Sequence, residues 1–256
     1  SMANNSAVYN EKPTTSQFLD EWVNLVNSGS GERGIFNRGS LKKQLPARRW
    51  KVFAKDFDRS GTNPCGEIIL KSKQFCNLSE VVARPEDTED TLLEKVRVAT
   101  ILGTYQATLT KFQYLSKDWK NNCDEEALLG VSVTGQWDCP PLRKPNVWRK
   151  MKEIAIETNR KYAGRFGINP STCITTTKPS GNGSQLFDSS SGAHPRHAEH
   201  YIRRVRIESH NPIFRMLKDA GVPHHPEVGQ NRDTASTYVL EFPIKSPKNS
   251  IYKDDI

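Results

Sequence analysis

Asn63-Pro64-Cys65-Gly66-Glu67-Ile68-Ile69-Leu70, with Phe75-Cys76-Asn77-Leu78 close behind it, is the stretch on which the reading of this chain turns. Pro64 lacks a backbone N–H and Gly66 carries an entropic cost in regular structure, so Cys65 between them belongs at a loop tip and not inside a helix. The apolar run 68–70 that follows is of buried-strand type. A thiol, a carboxylate and an amide thus share one short turn held by a strand, a common way of presenting reactive groups. Taken singly, a cysteine is usually a small buried hydrophobe. Cys65 and Glu67 together also offer a hydrogen or electron donor beside a proton acceptor. Spacing alone leaves both readings open.

Outward from this turn, helical and extended patterns alternate. Thr15 or Ser16 caps a helix carrying Phe18, Trp22, Leu25 and Val26 on one face, ended by Ser28-Gly29. Strands are predicted over 68–70 and 75–78. A long helix follows from near Thr88 past Leu115, with Leu92, Val96, Ala99 and Gly103 on a common stripe. Residues 131–134 read as a short strand, 147–165 as a helix closed by Gly167, and 171–177 as a β-branched strand. Further strands at 201–207 and 237–242 flank a helix over 212–220. Such alternation predicts an α/β fold with a largely parallel sheet.

The chain has 256 residues, enough for one large domain with a sizeable core, and 1–256 is read as a single domain in which Ser1-Met2 is a cloning remnant. Its apolar content of 35% and mean hydropathy of −0.68 are decidedly polar. No apolar stretch approaches the roughly 20 residues of a membrane span, so no membrane partner is expected. The net charge of +8, from 37 basic and 29 acidic residues, suits anionic partners such as nucleotide phosphates or nucleic acid. Nucleic-acid binding would want aromatic residues interleaved with basic ones, and Tyr201 beside Arg203, Arg204 and Arg206 supplies little of that. The five cysteines and the absence of a secretory signal point to a reducing, cytoplasmic setting. Cys123, Cys139 and Cys173 show no Cys-x-x-Cys spacing and read as structural thiols. His194, His197 and His200 stand three apart, but Pro195 interrupts the helix such a metal site would need, and no metal site is predicted.

A second candidate site is Lys178-Pro179-Ser180-Gly181-Asn182-Gly183-Ser184. A strand running into a loop of glycines and hydroxyls, then a short helix at Ser184-Gln185-Leu186, offers backbone N–H groups to an anion. A generic turn is the alternative reading.

Together these segments resemble the ribonucleotide reductases, and the finger-loop wording Asn-Pro-Cys-Gly-Glu-Ile, with Phe-Cys-Asn-Leu after it, resembles the class that uses adenosylcobalamin. Further matches run in the family's order: Ala3-Asn4-Asn5-Ser6-Ala7-Val8-Tyr9, Gly34-Ile35-Phe36-Asn37-Arg38, Gly130-Val131-Ser132-Val133-Thr134-Gly135, Lys178-Pro179-Ser180-Gly181, and His194-Pro195-Arg196 leading into Tyr201-Ile202-Arg203-Arg204-Val205-Arg206. The oxygen-dependent class usually has leucine where Pro64 stands, and the glycyl-radical class lacks a carboxylate at the Glu67 position. The resemblance runs from about Ala3 to Lys248. It implies the C-terminal part of a ten-stranded α/β barrel with the finger loop running up its middle, from a monomeric enzyme reducing ribonucleoside triphosphates, or else diphosphates.

By that resemblance Cys65 becomes a thiyl radical that takes the hydrogen from the ribose 3′ carbon. Glu67 accepts the 3′ hydroxyl proton, Asn63 holds the ribose hydroxyls, and the 2′ hydroxyl leaves as water. General-base help of this kind is typically worth about 10² to 10⁴ in rate. Cys76 resembles one member of the thiol pair that ends as a disulfide and is restored by thioredoxin or an equivalent reductant. Its partner lies in an upstream strand that this chain does not contain, so the upstream half of the barrel is an implied partner. The implied phosphate contacts are Ser180, Gly181, Asn182, Gly183 and Ser184. Asn182-Gly183 departs from the Thr-Val or Thr-Ser pair usual there, which touches side-chain contacts and leaves backbone donation in place. Adenosylcobalamin is the implied cofactor, with no ligand identified in this chain. Two other readings stand beside this one: a noncatalytic piece that hides open sheet edges against a complementary chain, and a basic nucleic-acid-binding module.

Overall fold

The computed structural model describes residues 5–29 and 33–256. Ser1-Met2 and the Ala3-Asn4 start of the first family match lie outside the described residues. Expected as one domain, the chain separates by its internal packing into two compact units, Ser1–Ala193 and His194–Ile256.

In the first unit β1 (Asn5–Tyr9) pairs in parallel with β2 (Arg33–Asn37), and α1 (Thr15–Ser28) connects them. The cap of α1 is Thr14, one or two positions ahead of the expected Thr15 or Ser16. The Gln17 N–H donates to Thr14 Oγ1, and the Thr14 N–H donates to Gln17 Oε1. The apolar face of α1 is not core: none of its residues is buried, and Phe18, Trp22 and Val26 stand in solvent.

Next come α2 (Leu41–Gln44), α3 (Ala47–Phe53) and a two-residue antiparallel ladder of β3 (Gly61–Thr62) with β4 (Ile69–Leu70). The centre of the unit is the parallel pair β5 (Asn77–Val82) and β6 (Leu129–Thr134), with α4 (Glu89–Gln106), α5 (Lys117–Glu126) and α6 (Pro145–Phe166) around it. Val81, Leu92, Val96, Leu129, Val131, Val133, Leu142, Val147 and Met151 form its core. Each such side chain contributes roughly 1.5–3 kcal/mol by leaving water. Every residue of β6 is buried, the pattern of a parallel strand covered on both faces.

Three local expectations need correction. The helix begun at Thr88 ends at Gln106, not past Leu115: the Thr108 N–H and hydroxyl both donate to the Tyr105 carbonyl and the Thr110 N–H to the Thr108 carbonyl, a series of turns. A separate α5 follows. The strand expected over 75–78 is β5, over 77–82. Residues 171–177 form no named strand: a parallel bridge between Thr175 and Val131 and a bond from the Leu129 N–H to the Cys173 carbonyl join them to β6. The short α7 (Gly183–Leu186) stands close to where the sequence put it.

The second unit is antiparallel, which corrects the largely parallel sheet expected. Its strands β7 (His200–Glu208), β8 (His224–Pro226) and β9 (Thr237–Lys245) lie in the order β7-β9-β8, with α8 (Pro212–Asp219) capped by Asn211. Buried Phe214 stacks on Tyr238 at 4.6 Å between centroids. Arg204 and Arg206 do share a face, as alternation requires, but Glu241 and Glu227 neutralise them at 2.8 and 2.5 Å. That pairing removes most of what a nucleic acid would find there. Among the described residues the strands form sheets of two, two, two and three, so no ten-stranded barrel closes within this chain, and the fold is mixed α/β.

Candidate active site

The finger loop is residues 63–68, clasped between β3 and β4. The Asn63 N–H donates to the Ile68 carbonyl at 3.0 Å, the Gly66 N–H to the Asn63 carbonyl at 3.0 Å, and the Ile68 N–H to Asn63 Oδ1 at 3.0 Å. Gly66 sits at φ 82, a left-handed conformation that a residue with a side chain rarely adopts, and it lets the chain reverse immediately after Cys65. Cys65 is exposed at the tip, as the proline and glycine foretold.

Two grips from outside hold the finger. At its root, the buried Arg49 guanidinium donates to Glu126 Oε1 at 2.9 Å and to the Ile69 carbonyl at 2.7 Å. Gln74 and Thr172 complete the Glu126 carboxylate at 2.7 and 2.9 Å. At its side, Thr176 Oγ1 donates to the Glu67 carbonyl at 3.0 Å.

Both carboxylate oxygens of Glu67 are buried, and neither has a hydrogen-bond partner. A buried, unpaired acceptor costs about 1–3 kcal/mol, more when charged, so such a group in a native fold calls for a missing donor. Asn63 differs, because its side-chain oxygen is already engaged by the Ile68 N–H within the loop. Cys76 lies half-buried at the entrance to β5. Burial first, and then the Glu67 carboxylate, pushes its thiol above the ordinary value, which places Cys76 and Glu67 in electrostatic reach of each other. Cys76 also lines a cavity of about 340 Å³ with Phe75, Phe112 and Cys123. All five cysteines are free thiols.

The second loop leaves the same extended segment that carries Thr176. The Lys178 N–H donates to Ser132 Oγ on β6 at 3.0 Å, and Ser180, buried, turns the chain at φ 53. Ser180 Oγ accepts from the Ser184 N–H at 3.2 Å, and Ser184 Oγ donates back to the Ser180 carbonyl at 2.7 Å. Both hydroxyls are thus spent inside the loop. The N–H groups of Gly181, Asn182 and Gly183 enter none of its backbone bonds. What the loop presents is the backbone of 181–183 and the exposed Asn182 side chain.

The sequence reading missed Glu80, Thr176 and Arg84. Glu80 Oε1 is buried without a partner, and the carboxylate lies against Gly183. Arg84 donates to the Phe187 carbonyl at 2.5 Å, gripping the far end of the loop. Alternation along 76–84 puts Glu80 on the face opposite core residue Val81, and that was the available signal. Among the described residues no group of three His, Cys, Asp or Glu side chains could hold a metal.

No family model matches the chain. It is 27% identical to the adenosylcobalamin-dependent ribonucleoside-triphosphate reductase of Lactobacillus acidophilus over 75% of this chain and 29% of that one. It is 27% identical to the reductase of the same name from Lactobacillus helveticus, over 85% of this chain and 32% of the other, and 25% identical to that of Lactobacillus gasseri, over 96% and 35%. The chain thus spans about a third of the length of the curated relatives it matches. Among solved structures, a B12-dependent class II ribonucleotide reductase superposes with a TM-score of 0.56 at 25% identity, covering 75% of this chain and 30% of that one. The alpha subunit of the Actinobacillus ureae class Id enzyme gives the same TM-score at 18% identity, over 82% and 44%, a likeness of fold alone.

Proposed function

We propose that this chain, a homologue of the adenosylcobalamin-dependent ribonucleotide reductases, carries the catalytic finger of an enzyme that makes 2′-deoxyribonucleotides from ribonucleotides. The observation that carries the reading is the pairing of an exposed Cys65 with a Glu67 carboxylate that is buried and lacks a donor. A ribose 3′ hydroxyl is such a donor. With it bound, Cys65 as a thiyl radical takes the 3′ hydrogen while Glu67 takes the 3′ hydroxyl proton. The 2′ hydroxyl then departs as water. Two thiols, Cys76 and a partner from the upstream half of the barrel, supply two electrons and two protons and end as a disulfide. Cys65 returns its hydrogen to the 3′ carbon, so the cycle consumes one dithiol per deoxyribonucleotide. Thioredoxin or an equivalent dithiol restores the pair.

Adenosylcobalamin, when bound, supplies the one-electron oxidation of the Cys65 thiol. What fits it here is the exposure of that thiol at the loop tip; no residue of this chain is assigned as its ligand. The free amides of residues 181–183 would take the substrate phosphates, a triphosphate by analogy with the relatives' names. Because the chain supplies about a third of a relative's length, turnover requires the upstream half.

Cys65→Ser in the full-length protein tests the proposal. Deoxyribonucleotide formation should vanish while the fold is retained; residual product at the parent rate would end the assignment. Cys76→Ser should instead leave a single round of 3′ hydrogen abstraction intact and stop steady-state turnover with thioredoxin.

A further inference from the structure

Glu80 sits on β5, whose pleat turns Val81 into the core and Glu80 towards the 180–184 loop. A Cβ built on Gly183 would fall 2.7 Å from Glu80 Oε2, so the carboxylate lies directly against the loop at this glycine. Glu80 Oε1 is buried and without a hydrogen-bond partner. The loop's own unspent groups are the N–H donors of 181–183, beside that same glycine. A carboxylate and a phosphate brought side by side in a partly wet site repel each other unless something offsets their charge. Arg84 does not do so, since its guanidinium donates to the carbonyls of Phe187 and Asp188 at the other end of α7.

We infer that Glu80 is a specificity-determining residue that sets the charge the 180–184 loop accepts, so that a polyphosphate tail binds well only when a divalent cation has neutralised part of it. The inference rests on the phosphate reading of the loop given above. Glu80 selects, by repulsion, the cation complex of a nucleotide over the free anion, a case of discrimination by an unfavourable element. It adds no contact to the sugar and takes no part in hydrogen transfer.

The test is calorimetric titration of the full-length protein with inorganic tripolyphosphate, with and without Mg²⁺, for the parent and Glu80→Gln. Without Mg²⁺ the variant should bind roughly five- to tenfold more tightly, the size of effect expected from removing one nearby like charge in a partly wet site. Adding Mg²⁺ should strengthen binding to the parent more than to the variant. Glu80→Asp, which keeps the charge and withdraws it by one methylene, should fall between the two and serves if Glu80→Gln does not fold.

Parent binding with equal or weaker affinity in Glu80→Gln would overturn the inference and leave the phosphate loop standing. Weaker binding of the Mg²⁺ complex alone would make Glu80 a cation ligand and overturn it too. A parent that binds tripolyphosphate under neither condition would end both readings. A purely structural Glu80 would lower the melting temperature and speed amide exchange over 180–188 without tightening any anion, which also counts against the inference.

Discussion

Thr176 donates its hydroxyl to the backbone carbonyl of Glu67, and the segment that carries Thr176 runs on without interruption into the glycine-rich loop at 180–184. One piece of chain therefore steadies the finger and launches the loop. Under the proposed function, the groups that act on the sugar and those that hold its phosphates are set by a common support.

Thr176→Val keeps the shape and removes the donor, leaving the Glu67 carbonyl unpaired. Loss of such a bond is worth about 1 kcal/mol, so kcat should fall roughly tenfold or less with nucleotide affinity little changed. Steady-state kinetics separates the two. A change confined to KM would show that Thr176 serves the phosphate loop alone.

Arg49→Met strands the Glu126 carboxylate in the interior and cuts the bond to Ile69 at the root of the finger. Breaking a buried pair from one side costs about 3–5 kcal/mol. Urea denaturation should report a loss of that order. A loss below about 1 kcal/mol would mean that Gln74 and Thr172 satisfy Glu126 by themselves.

Glu67→Gln removes the negative charge that, after burial, raises the Cys76 thiol. The thiolate becomes easier to form, so alkylation of Cys76 by iodoacetamide at pH 8.5 should quicken by roughly threefold. In the parent, the raised value makes this thiol a source of stability that is whole below the unfolded thiol pKa and fades as pH climbs through the folded one. Identical alkylation rates in parent and variant would separate the two groups electrostatically.

The unburied face of α1 bears on the noncatalytic reading. Produced alone, the chain should elute from gel filtration above its 28.9 kDa, and Trp22→Glu should return it towards that mass. A monomeric parent at tens of micromolar would remove α1 as a contact surface.

The finger was legible because proline and glycine punctuate it, and the α4 stripe of Leu92, Val96, Ala99 and Gly103 because its period is helical. Gly167 and the short helix after Ser180 were readable for similar local reasons. What sequence could not give was partnership. Strand 201–207 reads the same whether its neighbour runs parallel or antiparallel, and 171–177 is β-branched whether or not it finds a ladder. Glu80 and Glu67 look alike as letters; only the fold shows that each carries a carboxylate oxygen out of water and unanswered.

The finger itself is a ladder of two residue pairs, too short to be rigid on its own. Its posture is borrowed from the wall, through Arg49 below and Thr176 beside. Crowding, a neighbouring chain or a remote substitution that tilts this wall by a few tenths of an ångström will arrive at the sulfur of Cys65 as a change of aim. Under the proposed function, tuning the reaction is then a matter of masonry as much as of chemistry.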